Sequence, residues 1–391
     1  MSSKKIVGIL SGGLMGSDPY DPTSWSGSSL AFFNELENQG HLQRAFGAKL
    51  SKLEFYTRLA LKFHPNREVW KRRHYMNSSY RHALTRAAGN KVVESDKQHY
   101  IVQLGAYINA RDIYGPDVII ASYQDGNVME KFNSPYTDPL LKSDTKLFNQ
   151  VMQFEKKVAQ DMDLVFTTSD YLRESFIEHY DLSEDKVINI KAGVNLTEFE
   201  DINDKTKDYS QQDILFIGKG DFLLKGGDLA IKAFLSLSDR YPDAKLHLVG
   251  PNKSFQQEFN HPNIIFYGLL NKNNEQDLAL FKKLFLNCSL YIQPSRFEAL
   301  GIAPIEAMLH RIPAIVTGSW ALKENVISGV TGDHFEYGNW QDLADKIGKL
   351  LSSPEKLETM GKEAQIWARS EFTWKMATNK MISALENNKL S

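Results

Sequence analysis

Cysteine is nearly missing from this chain: Cys288 is the single one in 391 residues. An intrachain disulfide framework is therefore excluded, and the composition suits a reducing compartment. Cys288 lies just ahead of an apolar strand and reads as a small buried hydrophobe rather than a nucleophile. Long apolar runs are missing as well. After Lys4-Lys5 only the short run Ile6–Leu10 precedes a glycine loop, too little for a secretory signal or a membrane span, so a cytoplasmic protein is expected. There is no low-complexity tract, internal repeat or coiled-coil heptad. Walker A, G-x-S-x-G and H-E-x-x-H sequences are absent, and the scattered histidines are given no catalytic role. Asp161-Met162-Asp163 is an Asp-x-Asp, but it precedes a strand and reads as an acid pair at a helix end. With no other cluster of metal ligands, neither a metal nor a cofactor is expected. No nucleic-acid motif occurs, so nucleic acid is not an expected partner.

What is present reads as an α/β protein. Hydrophobic content of 42% and charged content of 24% are ordinary for a soluble globular chain, and the length predicts two domains with ample core for each. Short apolar runs ending in Gly, Ser or Thr alternate with longer amphipathic stretches, the pattern of parallel sheets wrapped by helices. Strands are expected at Ile6–Leu10, Ile101–Leu104, Val118–Ala121, Leu164–Thr168 and Val187–Ile190. A second set is expected at Ile214–Ile217, Leu246–Val249, Ile264–Tyr267, Leu290–Gln293 and Ala314–Thr317. The polar stretch 197–212 separates the two sets. Two doubly wound Rossmann-like domains facing each other across a cleft follow, and in open sheets of this kind ligands bind beyond the carboxyl ends of the strands.

Residues 289–307, SLYIQPSRFEALGIAPIEA, place Glu298 and Glu306 around a strand that turns into a helix at Gly301. The helix, expected over Ile302–Leu309, tolerates Pro304 in its first turn. Free amides at such a start attract phosphate, and an acid on either side can hydrogen-bond sugar hydroxyls, which is the layout of a nucleotide sugar. Two arbitrary glutamates would more often be a solvated helix acid and a terminal acid favoured by the dipole. A second stretch, LFIGKGDFLLKGGDLAIKAF at 215–234, reads as strand, loop and a helix beginning near Gly227. It sets Lys219 and Lys225 at the strand's carboxyl end. Fixed cations there would stabilise the charge that builds on a departing diphosphate.

PSRFEALGIAPIEAM, followed by PAIVTG at 313–318 and by Glu324, Gly329 and Gly332, resembles the signature of the retaining glycosyltransferase family 4, whose members have the two-domain GT-B fold. The resemblance implies a metal-independent enzyme that moves a hexosyl group from a nucleoside diphosphate sugar to an acceptor hydroxyl, releasing UDP or GDP. It implies that Glu298 binds the sugar or its developing positive charge and that Glu306 binds the ribose hydroxyls. Lys219 and Lys225 would hold the diphosphate, helped by the amides of Leu300, Gly301 and Ile302. Family members usually carry Gly-Arg where this chain has Gly218-Lys219. Lysine keeps the charge but gives up the planar, bidentate fork.

Other matches are shorter. Leu269, in Tyr267-Gly268-Leu269-Leu270, resembles the loop whose backbone grips the nucleotide base. Asp125, in Ser122-Tyr123-Gln124-Asp125, follows the strand VIIA and resembles the first-domain residue that contacts the transferred sugar. By default a loop aspartate is a turn former. The loop 11–29, with Trp25-Ser26-Gly27 and the later Gln39-Gly40-His41, resembles the family's first βα unit and starts a helix expected over 28–39. Gly12, Gly13 and Gly27 are assigned to the donor phosphate or acceptor side, since glycines let backbone N–H groups approach an anion. The implied domains are an acceptor-side domain over 1–196, a linker over 197–212 and a nucleotide-sugar-binding domain over 213–373. The tail, about 374–391, is expected to pack back on the first domain.

The net charge of −2 is unevenly spread: between Gln43 and Lys91 twelve Lys/Arg face two acids, with Phe46, Phe55, Tyr56, Phe63, Trp70 and Tyr75 among the residues interleaved. This region can be a solvated helical pair, or it can contact an anionic membrane or acceptor. The expected partners are a nucleotide-sugar donor and a carbohydrate or lipid-linked acceptor, with peripheral contact at the inner membrane face through 43–91. Two other readings stay open: a nucleotide-sugar epimerase or phosphorylase on the same architecture, and a non-enzymatic two-lobed sugar-binding protein, which would need export.

Overall fold

A computed structural model describes residues 4–11, 18–134, 142–195, 207–250 and 255–388. The chain divides into two units, one made of 1–195 with 374–391 and the other of 196–373. Each is built on a parallel six-stranded sheet.

In the first unit the strands are β1 (Ile6–Leu10), β2 (Leu42–Gly47), β3 (Tyr100–Leu104), β4 (Ile120–Gln124), β5 (Leu164–Thr167) and β6 (Val187–Asn189), in the order β2-β1-β3-β4-β5-β6. β1, β3, β4 and β5 are buried almost throughout, which is why they read as continuous apolar runs. β2 was not expected. Its sequence LQRAFG breaks the apolar run with Gln43 and Arg44, as an edge strand can, and Arg44 is pinned to the buried Asp96.

The expected strand Val118–Ala121 is corrected by two residues: Ser122, Tyr123 and Gln124 are fully buried members of β4, not a loop after it. Their polar atoms are what made them look like a loop. The tyrosine, however, stacks on Phe32 with centroids 5.6 Å apart and donates to the Lys191 carbonyl at 2.9 Å. The helix α1 (Ser28–Asn38) precedes the basic stretch, which itself carries α2 (Lys52–Ala60), α3 (Arg67–Tyr75) and α4 (Ser78–Gly89). The last helix of the chain, Trp374–Asn387, packs on α1. Trp374 lies edge-on to Phe32 and donates from Nε1 to Asn195 at 3.0 Å.

In the second unit the strands are β7 (Ile214–Ile217), β8 (Leu246–Val249), β9 (Ile264–Gly268), β10 (Leu290–Gln293), β11 (Ala314–Thr317) and β12 (Gly332–Phe335). Their order, β12-β11-β10-β7-β8-β9, is that of the dinucleotide-binding sheets. The direction of winding reverses between β7 and β10, and a crevice opens there beyond the strands' carboxyl ends. β12, with the sequence GDHF, is the second edge strand that its polar residues hide. Cys288 is fully buried immediately before β10.

The Asp-x-Asp serves structure. The helix Thr145–Asp161 ends at its first acid, which accepts from Asn109 Nδ2 at 2.6 Å. Asp163 accepts from Arg111 and from the Ile120 amide, each at 2.7 Å, so it ties β4 to the neighbouring turn.

Candidate active site

The two motifs of the second unit leave adjacent strands at the switch point. β7 runs into Gly218-Lys219-Gly220 and a turn that reaches the helix Gly227–Leu235; β10 runs into the turn 294–300 and the helix Ile302–Leu309. The junction leaves no room for side chains. A Cβ on Gly226, whose φ is +74°, would lie 1.8 Å from the Pro294 carbonyl oxygen. One on Gly250 would lie 2.4 Å from that of Gly218. Glycine here is what lets the two loops touch.

A bidentate ion pair locks them: Arg296 reaches Asp228 at 2.6 and 2.7 Å, and its backbone N–H donates to Leu224 at 2.8 Å. Burial pushes the Asp228 carboxyl upward, but the hydrogen bonds and charge of Arg296 outweigh it and hold the group below its usual range.

Within this frame Lys225 Nζ lies 2.5 Å from Glu298 Oε2, and both side chains are about four-fifths buried, at 22% and 17% exposure. Glu298 is further approached along β10. Tyr291 donates to Gln293 Oε1, Gln293 Nε2 donates to Ser295 Oγ at 2.8 Å, and Ser295 Oγ donates to Glu298 at 3.4 Å. Thr317 steadies the same turn by donating to the Ser295 carbonyl at 2.8 Å.

Gly301, at φ +77°, caps the helix in a left-handed conformation, and no side chain caps the amides that follow. Pro304 lacks an N–H, so Ile302 and Ala303 are the donors that the first turn offers. The Leu300 carbonyl accepts from Asn325 Nδ2, which fixes the turn from behind. Glu306, two turns into the helix, pairs with Lys272 Nζ at 2.5 Å. Lys272 belongs to the loop after β9 that begins with the exposed Leu269, so that loop and Glu306 are held together. Lys219 is exposed and has no ion pair among the described residues.

In the first unit, Asp125 is the residue that leaves the end of β4. It is exposed, yet the protein crowds around its carboxyl and pushes it above its usual range, against the pull of the Lys131 charge. Gly27 is the N-cap of α1, at φ +88°, and follows Trp25 and Ser26, which are also left-handed at +47° and +55°. Its α-carbon faces the Asn195 that pairs with Trp374: a Cβ there would lie 3.1 Å from Asn195 Nδ2. Gly12 and Gly13 lie outside the described residues.

Sequence reasoning missed Lys272, the Arg296–Asp228 lock and the aromatic edge of Phe297, Trp320 and Tyr337. In that edge, Trp320 meets Phe297 at 5.9 Å and Tyr337 at 5.4 Å. Arg296 and Asp228 stand inside the two motifs and carry opposite charge, which was the available signal.

The fold matches known architecture. The structure is similar to sucrose-phosphate synthase from Thermosynechococcus elongatus, with a TM-score of 0.68 at 15% identity over 98% of both chains. It is also similar to Anabaena HepE in complex with UDP and glucose, with a TM-score of 0.62 at 16% identity over 98% of this chain and 100% of that one. The chain has the GT-B fold. Residues 198–367, most of the second unit, match the family model of glycosyl transferases group 1. In sequence the chain is similar to the mannosylfructose-phosphate synthase of Agrobacterium fabrum, at 27% identity over 61% of this chain and 56% of that protein. It is also similar to the D-inositol 3-phosphate glycosyltransferase of Corynebacterium aurimucosum, at 23% identity over 58% and 57%. The match thus spans little more than half the length of either relative. Together these likenesses support a glycosyltransferase of GT-B fold.

Proposed function

We propose that this protein is a retaining glycosyltransferase of family 4 that moves a hexosyl group from a nucleoside diphosphate sugar to a hydroxyl of a carbohydrate or lipid-linked acceptor. The observation that carries the reading is the contact of Lys225 with Glu298 at the switch-point crevice, beside a helix start with uncapped amides. An incoming diphosphate would take Lys225 from Glu298 and free that carboxylate for the sugar. Lys219 supplies a second, unclaimed cation, and the Ile302 and Ala303 amides supply donors that need no reorganisation. Glu306 would exchange Lys272 for the ribose hydroxyls, with Leu269 lying against the base.

No protein base is needed where the leaving phosphate oxygen takes the acceptor's proton on the face that the acceptor attacks. The negative charge gathered on the diphosphate is met by the lysines, and the positive charge of the sugar ring by Glu298. Asp125, from the first unit, is assigned to the sugar. The reaction requires neither a metal nor a cofactor, and the chain is taken to work in the cytoplasm as part of polysaccharide assembly.

Donor screening by release of UDP, GDP or ADP tests the reading. Lys225→Ala and Glu298→Gln should each lower turnover by about 100-fold or more while the circular dichroism spectrum and melting temperature stay close to wild type. Full turnover by both variants would remove the site assignment. Isomerised donor without acceptor, or sugar phosphate formed with inorganic phosphate, would replace transfer by epimerase or phosphorylase chemistry.

A further inference from the structure

The twelve cations of 43–91 are not one solvated face. Several are consumed internally: Arg44 by Asp96, Arg58 by Glu54 at 3.0 Å, Arg81 by Glu155 at 3.7 Å, and Lys91 by the Gly47 carbonyl at 2.8 Å. What is left clusters around α2 and the turn into α3. Lys49, Lys52, Lys62, Arg67 and Arg73 have no ion-pair partner among the described residues.

The helix between them is apolar on both sides. Phe55 is buried, against the ring of His74 at 5.2 Å. On the opposite side Leu53 is 80% exposed and Tyr56 55%, with Ala60 completing the i, i+3, i+7 stripe that normally marks a buried helix face. The following turn adds Leu61 at 77% and Phe63 at 67% exposure. This tip is held rigidly. Trp70 Nε1 donates to the Leu59 carbonyl at 2.7 Å, and Phe63 packs edge-on to Trp70 at 5.3 Å, so the exposed side chains project from an ordered hairpin.

We infer that the α2–α3 hairpin is a docking surface for an anionic lipid bilayer, with Leu53, Tyr56, Leu61 and Phe63 entering the headgroup boundary and the five unpaired cations meeting lipid phosphates. Charge complementarity selects this occupant. Apolar side chains ringed by uncompensated cations suit a surface that is apolar below and anionic above. A protein partner would instead have to supply a matching acidic ring around an apolar socket. The proposal deepens the reading above by placing the acceptor at a membrane. Vesicle binding is measured without donor or acceptor, so its failure and the failure of that reading are separate results.

The purified full chain is floated with vesicles of phosphatidylcholine alone and of phosphatidylcholine with phosphatidylglycerol, at low and high salt. Wild type should bind the anionic vesicles, bind the neutral ones at least roughly tenfold more weakly, and lose binding as salt rises. Leu53→Ser with Leu61→Ser should lower partitioning roughly tenfold, and Lys52→Glu with Lys62→Glu should abolish the salt-sensitive part. Both pairs should release nucleoside diphosphate with a soluble acceptor at the wild-type rate. The inference is overturned if wild type ignores anionic vesicles at low salt, or if the serine pair binds as wild type does. A dimer in light scattering that the serine pair dissolves, without vesicle binding, would assign the surface to a second copy of the chain instead.

Discussion

At the scale of single residues, the candidate site is a set of charges satisfied twice over. Lys225 and Glu298 neutralise each other, as do Lys272 and Glu306. At these two pairs a donor must therefore exchange partners, whereas Lys219 meets it without an ion pair among the described residues. The Gln293–Ser295 chain reaches the same Glu298 oxygen, Oε2, that Lys225 contacts. Ser295→Ala should lower kcat about tenfold while the KM for donor and the affinity for the nucleoside diphosphate change little. Ser295→Thr should restore part of the loss. Equal changes in kcat and KM would show that Ser295 serves donor binding rather than Glu298. Glu298, Glu306, Lys219 and Lys225 could be singled out in the sequence because each stands in a motif that suggests a chemistry. Lys272 and the Arg296–Asp228 pair were not, since the partners lie 34 and 68 residues apart in sequence and meet only through the strand order.

Among elements, ten strands were readable, the central ones because burial on both faces keeps them largely apolar and the edge strands β6 and β9 because they keep apolar residues all the same. β2 and β12 escaped because edge strands keep one side polar. β4 shows the converse: Ser122 and Gln124 are buried polar residues inside a central strand, where pattern alone points to a turn. The loops after β7 and β10 depend on their glycines more than on their charges. Gly226→Ala should destabilise the protein by about 2–4 kcal/mol in chemical denaturation, since it combines a left-handed backbone with a Cβ against the Pro294 carbonyl. It should weaken donor binding as well. Unchanged stability would mean that the two loops can part without cost.

For the whole molecule, one buried cation links pH to stability. Lys207, the first described residue after 195, donates to the carbonyls of Phe285, Leu286 and Cys288 at 2.6, 3.1 and 2.7 Å and so closes the end of the helix Glu275–Asn287. Burial pulls its pKa down to about 7. The folded chain then binds fewer protons at this site than the unfolded chain between about pH 7 and the usual lysine range. Stability should therefore rise with pH across that window, by at most about 1.4 kcal/mol per pH unit from this group. Lys207→Met should flatten the profile. If the slope persists in that variant, another group carries it. Among the described residues no helix is long and apolar enough to cross a membrane.

The return of the last helix to the first unit sets a timetable for synthesis. Residues 196–373 form one unbroken stretch and can close as soon as they leave the ribosome. The first unit, begun earlier, waits for Trp374 to reach Phe32 and Asn195. The unit made first in the chain is thus finished last. Until those residues have emerged, the α1 surface that Trp374–Asn387 covers is open to chaperones and to aggregation.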